Sequence, residues 1–144
     1  MSQDDGIRSG MTLGINGFGR IGKLMVWNQV ARKYFKNIVV NIGRQAGTSL
    51  ADIAHYAERD STYGSLHGFL HGCGAKPVIE ELDEARGSMR IDGMQVRFLR
   101  QSRNPAAINW DGENVRLVVD TTGQFLDPSA SAESPKGSLR GHLA

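Results

Sequence analysis

The stretch GINGFGRIGK, residues 14–23, contains four glycines and follows a short, mostly apolar run. Residues 11–16, MTLGIN, predict a short buried strand that leads into the glycines. The residues from Gly22 to Tyr34 predict a helix, because apolar side chains recur there at helical spacing. The basic residues of this helix are expected to face solvent: Lys23, Arg32 and Lys33. The glycines therefore join a strand to a helix, which is the opening of a parallel α/β fold.

The segment Gly17-Phe18-Gly19-Arg20-Ile21-Gly22 fits the pattern G-x-G-x-x-G. In a dinucleotide-binding fold the first glycine permits a tight turn, and the second lets the backbone approach a pyrophosphate. The third allows the helix to pack closely on the strand, and the N–H groups and dipole at the helix N-terminus favour an anion. A glycine-rich turn without a ligand is the alternative, and the strand–loop–helix context favours the dinucleotide.

The rest of the chain predicts a Rossmann-type, mostly parallel sheet of the α/β class. A second strand at 37–42 (NIVVNI) precedes a second helix, whose N-cap is Thr48 or Ser49. The middle predicts an antiparallel excursion, with a type I′ turn at Asp92-Gly93. The remaining predictions are a loop or irregular strand at 60–74, strands at 77–82 and 89–99, one helical turn within 104–110, a buried strand within 114–123, and a surface loop with at most one helix after 128. Residues 1–10 are predicted to be a disordered tail and residues 11–144 a single dinucleotide-binding domain.

Composition and charge exclude several other classes of protein. The formal net charge of +2 is too small to indicate a nucleic-acid or membrane surface. The sequence contains neither an apolar run long enough for a membrane-spanning helix nor a secretory signal. The single cysteine, Cys73, rules out an internal disulfide framework and favours the cytoplasm. His67 and His71 lie near Cys73, but they lack the spacing of a structural zinc site, and we predict neither a metal ligand nor a catalytic role there.

Recognition of the adenosine ribose is less regular. An acidic residue normally follows the second strand and binds the 2′-hydroxyl of NAD, but none lies between Asp5 and Asp52. Arg44 stands near that position, where a guanidinium would pair with the 2′-phosphate of NADP. Alternatively, Arg44 is a solvated loop residue and the backbone holds the ribose. The predicted cofactor is therefore NAD or NADP.

Four segments in order carry a family resemblance. GINGFGRIGK closely resembles the opening of phosphorylating glyceraldehyde-3-phosphate dehydrogenases. RDSTYGSLHG (59–68) resembles that family's D-S-T-x-G segment, RNPAAINW (103–110) its R-[DN]-P-x-x-I-x-W segment, and VVDTTGQF (118–125) its [DE]-[ST]-T-G-x-F segment. The resemblance implies the N-terminal dinucleotide-binding domain of a homotetrameric glycolytic oxidoreductase.

The resemblance also implies cofactor contacts. Around the pyrophosphate and its ribose it places residues of the glycine segment: Asn16, Gly17, Phe18, Gly19, Arg20, Ile21 and Gly22. Arg103 belongs to the family's loop on the adenine side, and Phe125 would line the adenine pocket, although a core position is the alternative for that ring. Thr121, Thr122 and Gly123 would approach the ribose and nicotinamide side.

The chain departs from the family in two places. It has Gly43-Arg44-Gln45 where the family usually has Asn-Asp, which puts simple selectivity for NAD in doubt. In the family, the cysteine nucleophile (in an S-x-A-S-C-T-T-N segment), the histidine base and the phosphate sites all lie further along than residue 144. We therefore expect the C-terminal strands of the domain to be missing and no residue here to be catalytic. A non-catalytic dinucleotide-binding fragment and an erythrose-4-phosphate dehydrogenase remain alternatives.

Overall fold

A computed structural model describes residues 10–43 and 49–143 of the chain. The strands within these residues are β1 (Thr12–Asn16), β2 (Asn37–Asn41), β3 (Arg59–Asp60), β4 (Gly64–Ser65), β5 (Ile79–Asp83), β6 (Ser88–Ile91), β7 (Met94–Leu99) and β8 (Val115–Asp120). The α-helices are α1 (Arg20–Arg32), α2 (Leu50–Glu58) and α3 (Leu66–His71). Short 3-10 helices span Pro105–Ala107, Asp111–Glu113 and Leu139–Leu143.

Six of the strands form one sheet, in the order β5-β6-β7-β2-β1-β8. Strands β7, β2, β1 and β8 run parallel, whereas β5 and β6 are antiparallel to their neighbours. This topology confirms the predicted α/β, Rossmann-type sheet with its antiparallel excursion. The hairpin turn between β6 and β7 is also confirmed, because Asp92 and Gly93 have φ values of 46° and 82°.

The register of the parallel strands brings three polar residues together. Asn16, the last residue of β1, lies opposite Asn41 at the end of β2 and Asp120 at the end of β8. Carboxyl ends of parallel strands share one edge of a sheet, which is where open α/β sheets bind their ligands. The glycine segment leaves β1 at this edge.

Alternating residues of β2 belong to two apolar clusters on opposite faces of the sheet. Ile38 and Val40 belong to the larger cluster, which also contains Trp27 of α1, while Val39 belongs to the smaller one. Gly14 of β1 faces the smaller cluster, and a Cβ there would lie 2.7 Å from Val115 Cγ1. Glycine at this position therefore allows the two strands and the Trp110 ring to pack closely.

The prediction that Lys23 faces solvent is wrong, since this residue is only 3% exposed. Its Nζ lies 3.0 Å from Asp60 Oδ2 and donates a hydrogen bond of 2.7 Å to the Arg59 carbonyl oxygen. The aliphatic part of a lysine packs well among apolar residues when its charge finds a partner. Residues 59 and 60 supply that partner, and the helical spacing around Lys23 contains no signal of it.

Two further predictions about elements need correction. The glycine-rich segment 60–74 contains the β3–β4 hairpin and helix α3 instead of only a loop or irregular strand. The strand predicted as buried within 114–123 is β8, an edge strand on which Leu117 is 46% exposed. The predictions for the tail, for Arg44 and for Thr48 fall within 1–9 and 44–48, outside the described residues.

Candidate functional site

The glycine segment forms a tight backbone turn between β1 and α1. Gly17 has φ 99°, and its N–H donates to the Asn41 carbonyl oxygen at 3.0 Å. A Cβ on Gly22 would lie 2.1 Å from the Gly17 carbonyl oxygen, so only glycine lets α1 pass so close to the turn. The first and third glycines of the motif are therefore required by the geometry of the backbone.

Gly19 differs from these two glycines, because its surroundings are open. It caps the N-terminus of α1 without a side-chain hydrogen bond. Among the described residues other than its chain neighbours, no heavy atom lies within 4 Å of the place where a Cβ would stand. The first N–H groups of a helix need partners, and the helix dipole favours a negative one. The turn thus offers an anion both donors and space.

A cavity of about 520 Å³ opens in front of this turn. The end of β2 borders one side, through Gly43 and Arg103, and the residues that follow β8 border the other. Its lining consists of Asn16, Gly17, Phe18, Gly19, Ile42, Gly43, Asp52, Ile53, Tyr56, Arg103, Thr121, Thr122 and Gln124. A volume of this size fits within the range of small-molecule and cofactor sites.

Thr121 and Thr122 are held at the β8 side of the cavity by hydrogen bonds to neighbouring strand ends. The Thr121 hydroxyl donates to the carbonyl oxygens of Asn16 and Gly17 at 3.0 and 3.1 Å. The Thr122 N–H and hydroxyl both donate to Asp120 Oδ1, at 2.9 and 2.6 Å. These bonds tie the β8 end of the cavity to the glycine turn.

Asp120 lies at the centre of a polar network beneath the cavity. Its Oδ2 accepts from Asn16 Nδ2 at 2.8 Å and lies 3.0 Å from His142 Nε2. Burial acts to raise the pKa of Asp120, but hydrogen bonds from His142, Thr122 and Asn16 outweigh it and lower the pKa to about 2. Trp110 Nε1 donates to His142 Nδ1 at 3.0 Å, which selects the tautomer with its hydrogen on Nε2. Asp120 is therefore an anion that accepts every one of these bonds.

Arg103 lies across the end of β2. Its Nε donates to the Gly43 carbonyl oxygen at 3.2 Å, and a Cβ on Gly43 would lie 2.9 Å from Arg103 Cγ. Glycine at position 43 thus leaves room for the arginine side chain to border the cavity.

Arg20 points away from the cavity lining. Its Nε lies 3.3 Å from Asp60 Oδ2, and its guanidinium donates to Ser61 Oγ at 2.9 Å. Asp60 also accepts from the N–H groups of Thr62 and Tyr63, and it pairs with Lys23. These bonds, led by that from Thr62, hold the pKa of Asp60 well below its usual range despite opposing desolvation. The D-S-T-x-G segment therefore attaches the start of α1 to the β3–β4 hairpin.

Seven residues predicted as cofactor contacts come together around the cavity: Asn16, Gly17, Phe18, Gly19, Arg103, Thr121 and Thr122. Gly22 lies behind the turn, and Ile21 is 61% exposed. Gly123 is exposed, and Phe125 is half-buried near Gly137. Arg44 falls outside the described residues.

Sequence reasoning missed the contribution of helix α2 to the lining. Asp52, Ile53 and Tyr56 all border the cavity, together with Ile42, Gly43 and Gln124. The available signal was the spacing of Asp52 and Tyr56, which places them one turn apart on the same face of α2. That helix follows β2, so its start lies near the carboxyl edge of the sheet.

Other kinds of site receive no support from the described residues. They contain no group of three or more His, Cys, Asp or Glu side chains placed to hold a metal ion. No described helix is long and apolar enough to cross a bilayer. Cys73 is exposed and unpaired.

Comparisons with known proteins agree with the cavity and its glycine turn. Residues 11–128 match the family described as "Glyceraldehyde 3-phosphate dehydrogenase, NAD binding domain". The chain is 31% identical over 128 residues to glyceraldehyde-3-phosphate dehydrogenase of Aspergillus oryzae, covering 89% of this chain and 33% of that protein. It is 33% identical over 117 residues to the same-named protein of Wickerhamomyces ciferrii, covering 81% of this chain and 30% of that protein.

The chain spans about a third of the length of these relatives. The match covers all four segments that carry the resemblance, up to the residues that follow β8. The chain therefore belongs to the glyceraldehyde-3-phosphate dehydrogenase family, and residues 11–128 form its NAD-binding domain, which takes NAD or NADP as cofactor.

Proposed function

We propose that this chain is the cofactor-holding portion of a phosphorylating glyceraldehyde-3-phosphate dehydrogenase. Such an enzyme oxidises the aldehyde of glyceraldehyde 3-phosphate and joins the product to inorganic phosphate. When bound, the nicotinamide accepts the hydride that leaves the substrate. The observation that carries the proposal is the open turn at Gly19, which faces a cavity lined by residues of three segments of the family resemblance.

Different residues of the chain are proposed to bind different parts of the dinucleotide. The N–H groups after Gly19 are placed to bind the pyrophosphate, with Gly17 and Gly22 permitting the turn. Arg103 borders the side of the cavity at the end of β2, where the adenosine would lie. Thr121 and Thr122 border the opposite side, toward the nicotinamide. Arg20, Ile21, Gly123 and Phe125 are proposed to contribute at the margin of the site.

We assign no nucleophile and no base to this chain. The exposed thiol of Cys73 lies in the segment that follows α3 and does not line the cavity. The cysteine and histidine chemistry of the family is proposed to belong to the remainder of the protein, which acts as a homotetramer in the cytoplasm. The part described here binds and orients the dinucleotide for that chemistry.

Substitution of Gly19 by alanine tests the turn directly. Gly19 has φ −78°, a value that alanine adopts readily, and the place where its Cβ would stand is open. Alanine is less favoured than glycine at an N-cap, which lowers stability, but it also reduces the conformational entropy of the unfolded chain, which raises stability. Each of these effects is of the order of 1 kcal/mol. The new methyl group stands where the pyrophosphate would approach, so we expect affinity for NAD to fall more than tenfold.

The measurement is a titration of the chain and of Gly19→Ala with NAD, paired with thermal unfolding of both. Unchanged folding together with lost binding supports the proposal. If the variant binds NAD as tightly as the original chain, the turn is not the pyrophosphate site.

A further inference from the structure

Asp52 brings a carboxylate to the β2 side of the cavity. It lines the same cavity as Gly43, and it precedes Tyr56 by one helical turn on α2. The Tyr56 ring packs edge-to-face on Phe18 of the glycine turn, with 5.3 Å between the ring centroids. Tyr56, one helical turn from Asp52 on the same face of α2, thus contacts the glycine turn.

The carboxylate is fixed in place by the start of α2. Asp52 Oδ2 accepts from the Ser49 N–H at 3.0 Å and from the Ser49 hydroxyl at 2.8 Å. These two bonds lower the pKa of Asp52, so the side chain is an anion at neutral pH. Within the described part of the chain, Oδ1 accepts no hydrogen bond and is available to a ligand hydroxyl.

Two of the first N–H groups of α2 are already hydrogen-bonded and so cannot bind a phosphate group. The Leu50 N–H already donates to Glu84 Oε2 at 2.8 Å, and the Asp52 N–H donates to Ser49 Oγ at 3.1 Å. A phosphate entering here would meet the Asp52 carboxylate, whereas the nearby Glu84 is paired with Arg100 at 3.1 Å. Like charges at such short range raise the free energy of binding.

We propose that Asp52 accepts a hydrogen bond from the 2′-hydroxyl of the adenosine ribose and so selects NAD against NADP. This inference rests on the proposed function, because it assumes that the dinucleotide lies with its adenosine toward the end of β2. Dinucleotide-binding folds commonly assign the same task to an acid that directly follows the second strand. In this chain the acid is supplied by the helix that comes next.

Two arginines bear on this choice, Arg103 through the structure and Arg44 through the sequence alone. Arg103 is exposed, lines the cavity and donates its Nε hydrogen to the Gly43 carbonyl oxygen. Arg44 lies outside the described residues, and in the sequence it is the reason that NADP stands beside NAD as a predicted cofactor. Asp52 and Arg44 thus predict opposite preferences, and a measurement of the ratio of the two affinities separates them.

The test compares the 144-residue chain with Asp52→Asn in titrations against NAD, NADP and the analogue of NAD that lacks the adenosine 2′-hydroxyl. Ligand-observed NMR suits weak binding. We expect the original chain to prefer NAD, and Asp52→Asn to weaken NAD about tenfold, as for loss of a charge-assisted hydrogen bond. The variant should bind the analogue as well as the original chain does, and NADP at least as well.

Two control variants separate recognition from folding. Ser49→Ala removes one of the two bonds that hold the Asp52 carboxylate but keeps the carboxylate itself. It should lower the unfolding temperature and weaken the preference for NAD less than Asp52→Asn does. Asp127→Asn removes the same charge from an exposed turn where Asp127 bonds to Ser129, and it should leave all affinities unchanged.

Three results would overturn the inference. A preference of the original chain for NADP is one, and equal weakening of NAD and its analogue by Asp52→Asn is another. A larger loss of the preference in Ser49→Ala than in Asp52→Asn is the third, because it would trace the effect to the helix start and not to the carboxylate. Binding of neither dinucleotide by the original chain would overturn the proposed function as well, whereas the other results leave that function standing.

Discussion

Asp120 shows, at the scale of a single residue, how the strand ends are held together under the site. Its carboxylate accepts from Asn16 on the neighbouring strand and from Thr122 directly after its own. Asn41 Nδ2 extends the network by donating to Asn16 Oδ1 at 3.0 Å. Asp120 is the acidic residue of the [DE]-[ST]-T-G-x-F segment in the family resemblance, but nothing in the sequence indicates that it pairs with His142.

Substitution of Asp120 by asparagine should destabilise the chain. An amide would turn one N–H donor toward Asn16 Nδ2 or His142 Nε2, both of which donate to Asp120, and charge-assisted bonds would be lost. The expected loss in the free energy of unfolding is about 1.5–3 kcal/mol at pH 7. Urea unfolding of both proteins measures it.

The same pair of proteins should differ in their response to acid. Folding lowers the pKa of Asp120 to about 2, from about 3.9 for an unfolded aspartate. A lowered pKa contributes stability above the unfolded value, and that contribution is lost as the pH falls from about 4 toward 2. Stability measured at steps between pH 6 and pH 2 should therefore decline less in Asp120→Asn. Parallel curves would show that Asp120 is not the group responsible.

At the scale of secondary-structure elements, helix α1 could be predicted from the sequence, whereas the β3–β4 hairpin and α3 could not. Local periodicity predicted α1 well, and the structure begins it at Arg20, two residues earlier than expected. The hairpin and α3 were missed because the glycines of this segment favour loops. Ser65 caps α3 by accepting from the Gly68 N–H at 3.2 Å, and the Phe69 ring lies 5.6 Å from that of Trp27. Tertiary contact with α1 thus stabilises a helix that composition disfavours.

The buried ion pair between Lys23 and Asp60 should stabilise the fold more than the exposed pair of Lys33, at the end of the same helix, with Asp92. The side chains of Lys23 and Asp60 are 4% and 2% exposed, whereas that of Lys33 is 49% exposed in its pair with Asp92. Lys23→Met would leave the Asp60 carboxylate without its buried partner, and exposed pairs contribute little. We expect Lys23→Met to lower the unfolding temperature clearly more than Lys33→Met. Equal effects in a thermal melt would contradict the assignment of Lys23 as the attachment of the hairpin.

The sheet as a whole ends on one side at β8. Leu117 of this edge strand is 46% exposed, and Leu126, farther along the chain, is 83% exposed. Unpaired strand edges with apolar side chains favour association with other chains.

We therefore expect the 144-residue chain to associate in solution at high concentration and to bind dinucleotide weakly. A lysine at position 117 should reduce this association, because a charge on an edge strand opposes pairing with another edge. Light scattering coupled to size-exclusion chromatography compares the original chain with Leu117→Lys. A monodisperse monomer that binds tightly without the substitution would refute this expectation.

The sequence by itself determined the strand, glycine turn and helix at residues 11–32, the mostly parallel sheet, and the family. These features depend on short-range constraints, namely the glycines that a turn requires and the periodicity of apolar side chains. Tertiary structure alone decided the burial of Lys23, the position of Asp52 beside the cavity, the pairing of Asp120 with His142 and the edge position of β8. The reason is physical: each of these depends on a partner distant along the chain, and the order of strands in the sheet determines which partners meet.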